Sequence, residues 1–201
     1  MKTLYKQCFV GLVCTIVLLM QTTAAMFTSP IEKKHFLQHL LPNKKKVKVT
    51  GLQMMGRIED DAGTMGRVNI TVFVDSVQYL TTTSNRSGKC KFTLPLNDKY
   101  VIVFSQKGYV TKKIVVYTKV PSSRMDLYKF HFTIDLFEEI KELDVSALEK
   151  PVAVVTYNNF MNQFNYDFNY TVSINEVIQK MYNDYYNLKK LDQDKKSEAK
   201  K

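Results

Sequence analysis

Cysteine is nearly missing from this 201-residue chain: Cys8 and Cys14 lie in the first apolar stretch, and Cys90 stands alone beyond it. With the leader removed one thiol remains, and an exported protein with one thiol cannot close an internal disulfide. Glycine is scarce as well. Seven glycines scattered at turns leave no glycine-rich loop to cradle a phosphate. Long apolar runs are lacking too. The one candidate, residues 8–20, reaches about 20 Å as a helix against about 30 Å of hydrocarbon, too short to anchor the chain across a membrane.

That run has a different use. Lys2 and Lys6 precede it, and Gln21-Thr22-Thr23-Ala24-Ala25 follows with small residues, so residues 1–25 read as a secretory signal cleaved after Ala25. Gly11-Leu12-Val13-Cys14 lacks the small residue expected before a lipidated cysteine. Cleavage takes away two lysines and no acid, leaving a strongly basic protein where the whole chain carries +10. The expected address is the periplasm or the cell surface. Export and the dispersal of the lysines argue against nucleic acid; lipopolysaccharide, an acidic glycan or an acidic protein suits the charge better.

The densest structural signal is residues 88–109. Cys90, Phe92, Leu94 and Leu96 alternate with Lys89, Lys91, Thr93 and Pro95; Tyr100, Ile102 and Phe104 repeat the pattern. A period of two puts alternate side chains on one face, giving two half-buried strands joined at Asn97-Asp98-Lys99. Gly88 and Gly108 stand where the turns require positive φ. Cys90 falls on the apolar face, as a small core residue. Further strands are expected over residues 47–58, from Val68 to Val74, over residues 80–83, 113–118 and 129–137, and over residues 152–157. Closely spaced strands separated by turn residues predict an all-β antiparallel sandwich.

Two helices flank it. Ser29-Pro30-Ile31-Glu32 has a cap, a proline at the first turn and a glutamate that reaches back, so a short helix is expected up to Pro42. From Tyr170, Ile174, Val177, Ile178, Met181, Tyr185 and Leu188 form a helical stripe. The lysine-rich residues 189–201 carry no apolar period beyond Leu191 and are expected to be a flexible basic tail. The division is therefore residues 1–25 signal, 26–46 helix and linker, 47–120 sandwich, 121–188 strands and helix packed on it, and 189–201 tail.

Chemistry is thinly represented. His35 and His39 are one helical turn apart, but the residues between them lack the glutamate of a zinc-protease helix, and no third ligand is near. His131 is out of phase with Phe130 and Phe132 and reads as exposed. No serine or cysteine sits in a nucleophile motif. Glu59-Asp60-Asp61 lacks the alternating oxygen spacing of a calcium loop and reads as a solvated turn. No catalytic residue, metal or cofactor is expected. The most unusual composition is residues 158–170, read as a loop whose Phe160, Phe164, Tyr166, Phe168 and Tyr170 either contact a partner or a sugar, or fill the gap between sandwich and helix.

Arg57-Ile58-Glu59-Asp60, Gly66 to Val72, Gly88-Lys89-Cys90-Lys91-Phe92-Thr93-Leu94, Tyr100 to Phe104 and Gly108-Tyr109 resemble the carboxypeptidase regulatory-like domain, over about residues 50–120. The resemblance implies a transthyretin-like sandwich, of the kind found in exported envelope proteins of Bacteroidetes. It carries over no catalytic residues, since the module accompanies enzymes and transporters without performing their chemistry. Ser84-Asn85-Arg86-Ser87 departs from the family's usual aspartate before the turn glycine. The expectation is a non-enzymatic binding or scaffolding protein of the envelope, associated with the outer membrane, whose partner is another envelope protein; the alternative is carbohydrate binding through residues 158–170.

Overall fold

The computed structural model describes residues 49–198. The leader, the helix expected before Pro42 with His35 and His39, and residues 199–201 lie outside the described residues. The strands are β1 (Gly51–Asp60), β2 (Gly63–Thr64), β3 (Asn69–Val74), β4 (Val77–Thr83), β5 (Lys89–Leu94), β6 (Lys99–Ser105), β7 (Lys112–Tyr117), β8 (Leu127–Asp135), β9 (Ala153–Asn158) and β10 (Gln163–Tyr166), and helix α1 (Phe168–Glu198) follows.

They form two sheets. In the first, β1 is flanked by β5 and β8, with β2 pairing the end of β1; the second runs β10-β9-β7-β6-β3-β4. The expected sandwich is present, but it is mixed. β1 pairs β8 in parallel and β7 pairs β9 in parallel. Alternation cannot distinguish the two ladders, because both place alternate residues on one face.

The strand phases are those of the alternation. Met54, Ile58, Phe92, Leu94, Phe130 and Ile134 of the first sheet bury against Ile70, Val72, Ile102, Phe104, Ile114 and Val116 of the second. Each such side chain contributes about 1.5–3 kcal/mol. Gly88 has φ +71°, and a Cβ there would lie 2.5 Å from the Ile58 carbonyl oxygen. Asn85 braces the turn before Gly88: its Oδ1 accepts from the Ser87 and Lys89 amides and from the Ser87 hydroxyl.

Three expectations need correction. Residues 158–170 are not a loop. Asn158 accepts from the amides of Phe160 and Met161 to close a turn, and Phe164 then pairs with Tyr157 and Tyr166 with Val155. Residues 189–198 are not a frayed tail, because α1 runs on to Glu198. Lys196 pairs with Asp192 at 2.6 Å one turn back, and straight-chain residues keep a helix going without an apolar stripe. Val177, assigned to the stripe, is exposed; Ile174, Met181 and Tyr185 are buried.

The acidic turn is not simply solvated either. Asp61 accepts from the hydroxyls of Tyr185 (2.9 Å) and Tyr186 (3.3 Å) and pairs with Lys189. Desolvation works to raise the Asp61 carboxyl, but Lys189 and the two tyrosines outweigh it and hold it below the usual value. This turn holds the C-terminal half of α1.

Lys112 shares the inward phase of Ile114 and Val116 and is only 4% exposed. Its ammonium donates to the Asp135 carbonyl oxygen and the Tyr182 hydroxyl, and lies 4.8 Å and 4.7 Å from the ring centres of Phe137 and Tyr182. Burial lowers its pKa to about 8, although the Asp135 carboxylate pulls the other way. The ordinary value is 10.5, so above pH 8 the folded chain releases this proton before the unfolded chain does. Stability attributable to Lys112 therefore rises between those two pH values. Measured by denaturant unfolding, wild type should gain up to about 3 kcal/mol on a Lys112→Met variant between neutral pH and pH 10.5. A difference that stays flat over that range would contradict the buried ammonium.

Candidate functional site

The chemically distinctive surface is the outer face of β5-β1-β8. Its composition follows from strand phase: with Cys90, Phe92 and Leu94 turned inward, Lys89 and Lys91 turn outward, as do Arg57 on β1 and Lys129 and His131 on β8. Register then brings them together. Arg57 lies between Lys89 and Thr133, Met55 between Lys91 and His131, and Gln53 between Thr93 and Lys129. Neighbouring strands are about 5 Å apart, and residues two apart on one strand about 7 Å.

Four permanent cations thus share one small sheet face. Arg57 meets Glu59 at 3.5 Å, the one ion pair on this face among the described residues. Lys89 and Arg57 are directly opposite, an unfavourable like-charge pair that Glu59 relieves in part and a bound anion would relieve further. Over the face runs an open groove of about 900 Å³. Lys89 and Lys91 line it from β5 and His131 and Thr133 from β8, with Asn85 and Tyr166 also on its border. Burial pushes the Cys90 thiol up to about 11, only partly offset by its hydrogen bond with the Gly56 backbone, so it remains a protonated core thiol.

The residues singled out from the sequence are dispersed. Phe160 projects from the β9–β10 turn, 97% exposed, and Phe168 is 77% exposed at the start of α1. Phe164 is 4% exposed, enclosed by Tyr128 and Tyr157, which removes it from any contact surface. Tyr170 donates to the Pro151 carbonyl oxygen at 2.6 Å and ties α1 down. Tyr166 alone borders the groove. It is 45% exposed and set edge-on to Phe130, ring centres 5.1 Å apart. His131 is exposed on the basic face, as its phase required. Among the described residues no group of three His, Cys, Asp or Glu could hold a metal.

Sequence reasoning missed the basic face. It registered the lysines as dispersed, which they are along the chain; the signal was their outward phase in strands with buried alternate residues. What remained hidden was that three such strands are neighbours, two of them in parallel.

No family model matches the chain, and no curated protein matches it. Solved structures resemble parts of it. The Bacillus anthracis TIE protein aligns at 14% identity over 44% of this chain and 17% of its own, with a TM-score of 0.37. The group B streptococcus pilus 2b backbone protein aligns at 14% identity over 50% of this chain and 47% of its own, TM-score 0.33. Klebsiella pneumoniae 5-hydroxyisourate hydrolase aligns at 14% identity over 46% of this chain and 100% of its own, TM-score 0.31. The chain therefore spans less than half the length of the first two.

Proposed function

We propose that this chain is an exported, non-catalytic binding module of the cell envelope, a transthyretin-like sandwich that holds an anionic partner on the outer face of β5-β1-β8. The observation that supports this reading is the convergence of Arg57, Lys89, Lys91 and Lys129 on a face that no described element covers. Such a field raises the local concentration of anions and steers their approach, and its strength falls with added salt. The regulatory-like resemblance agrees with a role in binding. The transthyretin-like layout serves here as a rigid frame, with inward phases locked by the core and outward phases free to vary.

Retention on a heparin column tests it. Lys89→Glu combined with Lys91→Glu should lower the eluting salt concentration sharply, because it reverses two exposed charges without touching the core. Lys107→Glu combined with Lys119→Glu changes net charge equally from exposed turns elsewhere and should have little effect. Equal losses in the two variants would show that net charge, and not this face, governs binding.

A further inference from the structure

We infer that the anionic partner is an acidic polysaccharide strand, lying in the groove with one sugar ring against Tyr166 and its carboxylate or sulfate groups on Lys91, Lys89 and Arg57. This deepens the reading of the basic face and rests on it. Three observations choose among anionic partners. The surface is an open groove lined by charged side chains and not a protruding apolar tip of the kind that enters a bilayer. Of its Phe and Tyr rings, Phe132 is buried and Tyr166 alone is exposed, where single-stranded nucleic acid is held on successive stacking platforms. Its centre is the single half-buried Met55 flanked by Lys91 and His131, where a protein partner would be anchored on a desolvated apolar cluster.

Tyr166 supplies what charge alone does not. Its ring is positioned by Phe130 behind it, so little freedom is lost when a flat partner packs on the exposed part. A pyranose presents an apolar C–H face to such a ring and polar groups at its edge. His131, Thr133 and Asn85 line the same groove and offer donors to those edges. Across the groove Lys89 and Arg57 face each other at the strand spacing of about 5 Å, and Lys91 follows Lys89 about 7 Å along β5. Charge and a sugar platform in one groove fit a charged sugar better than either a bare polyanion or a neutral glycan.

The full mature protein would be titrated calorimetrically with a heparin hexasaccharide, an oligogalacturonate, neutral maltohexaose, inorganic polyphosphate and phosphatidylglycerol vesicles. The two acidic sugars should bind, and the neutral one should be at least about tenfold weaker. Tyr166→Leu, which keeps an apolar contact with Phe130 but loses the flat ring, should weaken acidic-sugar binding about tenfold while Tyr166→Phe restores it. Thermal melts of both variants report whether the fold is intact. If Tyr166→Leu folds and binds like wild type, or if polyphosphate or vesicles bind more tightly than either sugar, the polysaccharide assignment is wrong while the basic face stands. Absence of acidic-sugar binding also overturns it. Should the Lys89→Glu, Lys91→Glu variant bind every probe like wild type, the face itself is not the site and both readings fall.

Discussion

Phe92→Asp should abolish folding. Phe92 sits in the middle of β5 opposite Met54 and is 8% exposed, inside the cluster that both sheets share. Removing a buried phenylalanine costs about 3–5 kcal/mol, and an unpaired carboxylate in its place adds several more. A domain of this kind has only about 5–15 kcal/mol of stability to lose. Lys89 and Lys91 of the same strand point out of its other side, so neither compensates. The measurement is circular dichroism with a thermal melt, with Phe92→Leu as the comparison; Leu conserves apolarity and should retain a cooperative transition. A Phe92→Asp protein that melts like wild type would mean that the inward phase assigned to β5 is wrong.

Gly56→Val should be nearly as severe, for a steric reason. The space a side chain would fill at Gly56 is occupied from both neighbouring strands. A Cβ would lie 2.3 Å from Cζ of Phe132 and 2.7 Å from Sγ of Cys90. The Phe132 ring cannot simply retreat, because it packs on Phe104 with centres 5.7 Å apart. Overpacking of a tight core costs about 1–3 kcal/mol, and a β-branched residue here falls at or beyond the upper end. Combining Gly56→Ala with Phe132→Leu should recover part of the stability lost in Gly56→Ala alone. The coupling is read from a double-mutant cycle by denaturant unfolding. Additive losses would show that Phe132 is not what excludes the side chain.

Much of the fold could be read in advance because period-two alternation is local. Cys90, Phe92 and Leu94 declare their face without reference to the rest of the chain, and Gly88 declares its turn. The hairpin β9–β10 escaped notice because β10 is four residues long, and its turn is closed by asparagine side chains instead of glycine. The end of α1 escaped because helices can persist on ion pairs and propensity after the apolar stripe stops. Lys112, outside the strand expected over residues 113–118, is the opposite case. Its phase points inward while its charge argues outward, and the Asp135 carbonyl, the Phe137 ring and Tyr182, seventy residues later, together make the inward position tolerable.

The candidate site divides in the same way. The outward direction of Lys89, Lys91 and His131 follows from the alternation of their own strands. Their convergence with Arg57 does not, because it depends on β8 returning in parallel beside β1 across more than seventy residues. Tyr166 reaches the same groove only because β10 lies at the edge of the second sheet, close to β8.

By itself, then, the order of residues determined which side chains are inside and which outside, since hydrophobic burial acts on each strand's periodicity separately. Tertiary structure decided which outside residues become neighbours. Strand order and register are set by contacts between distant segments, and no local pattern encodes them. A basic face on three strands can therefore exist only after folding.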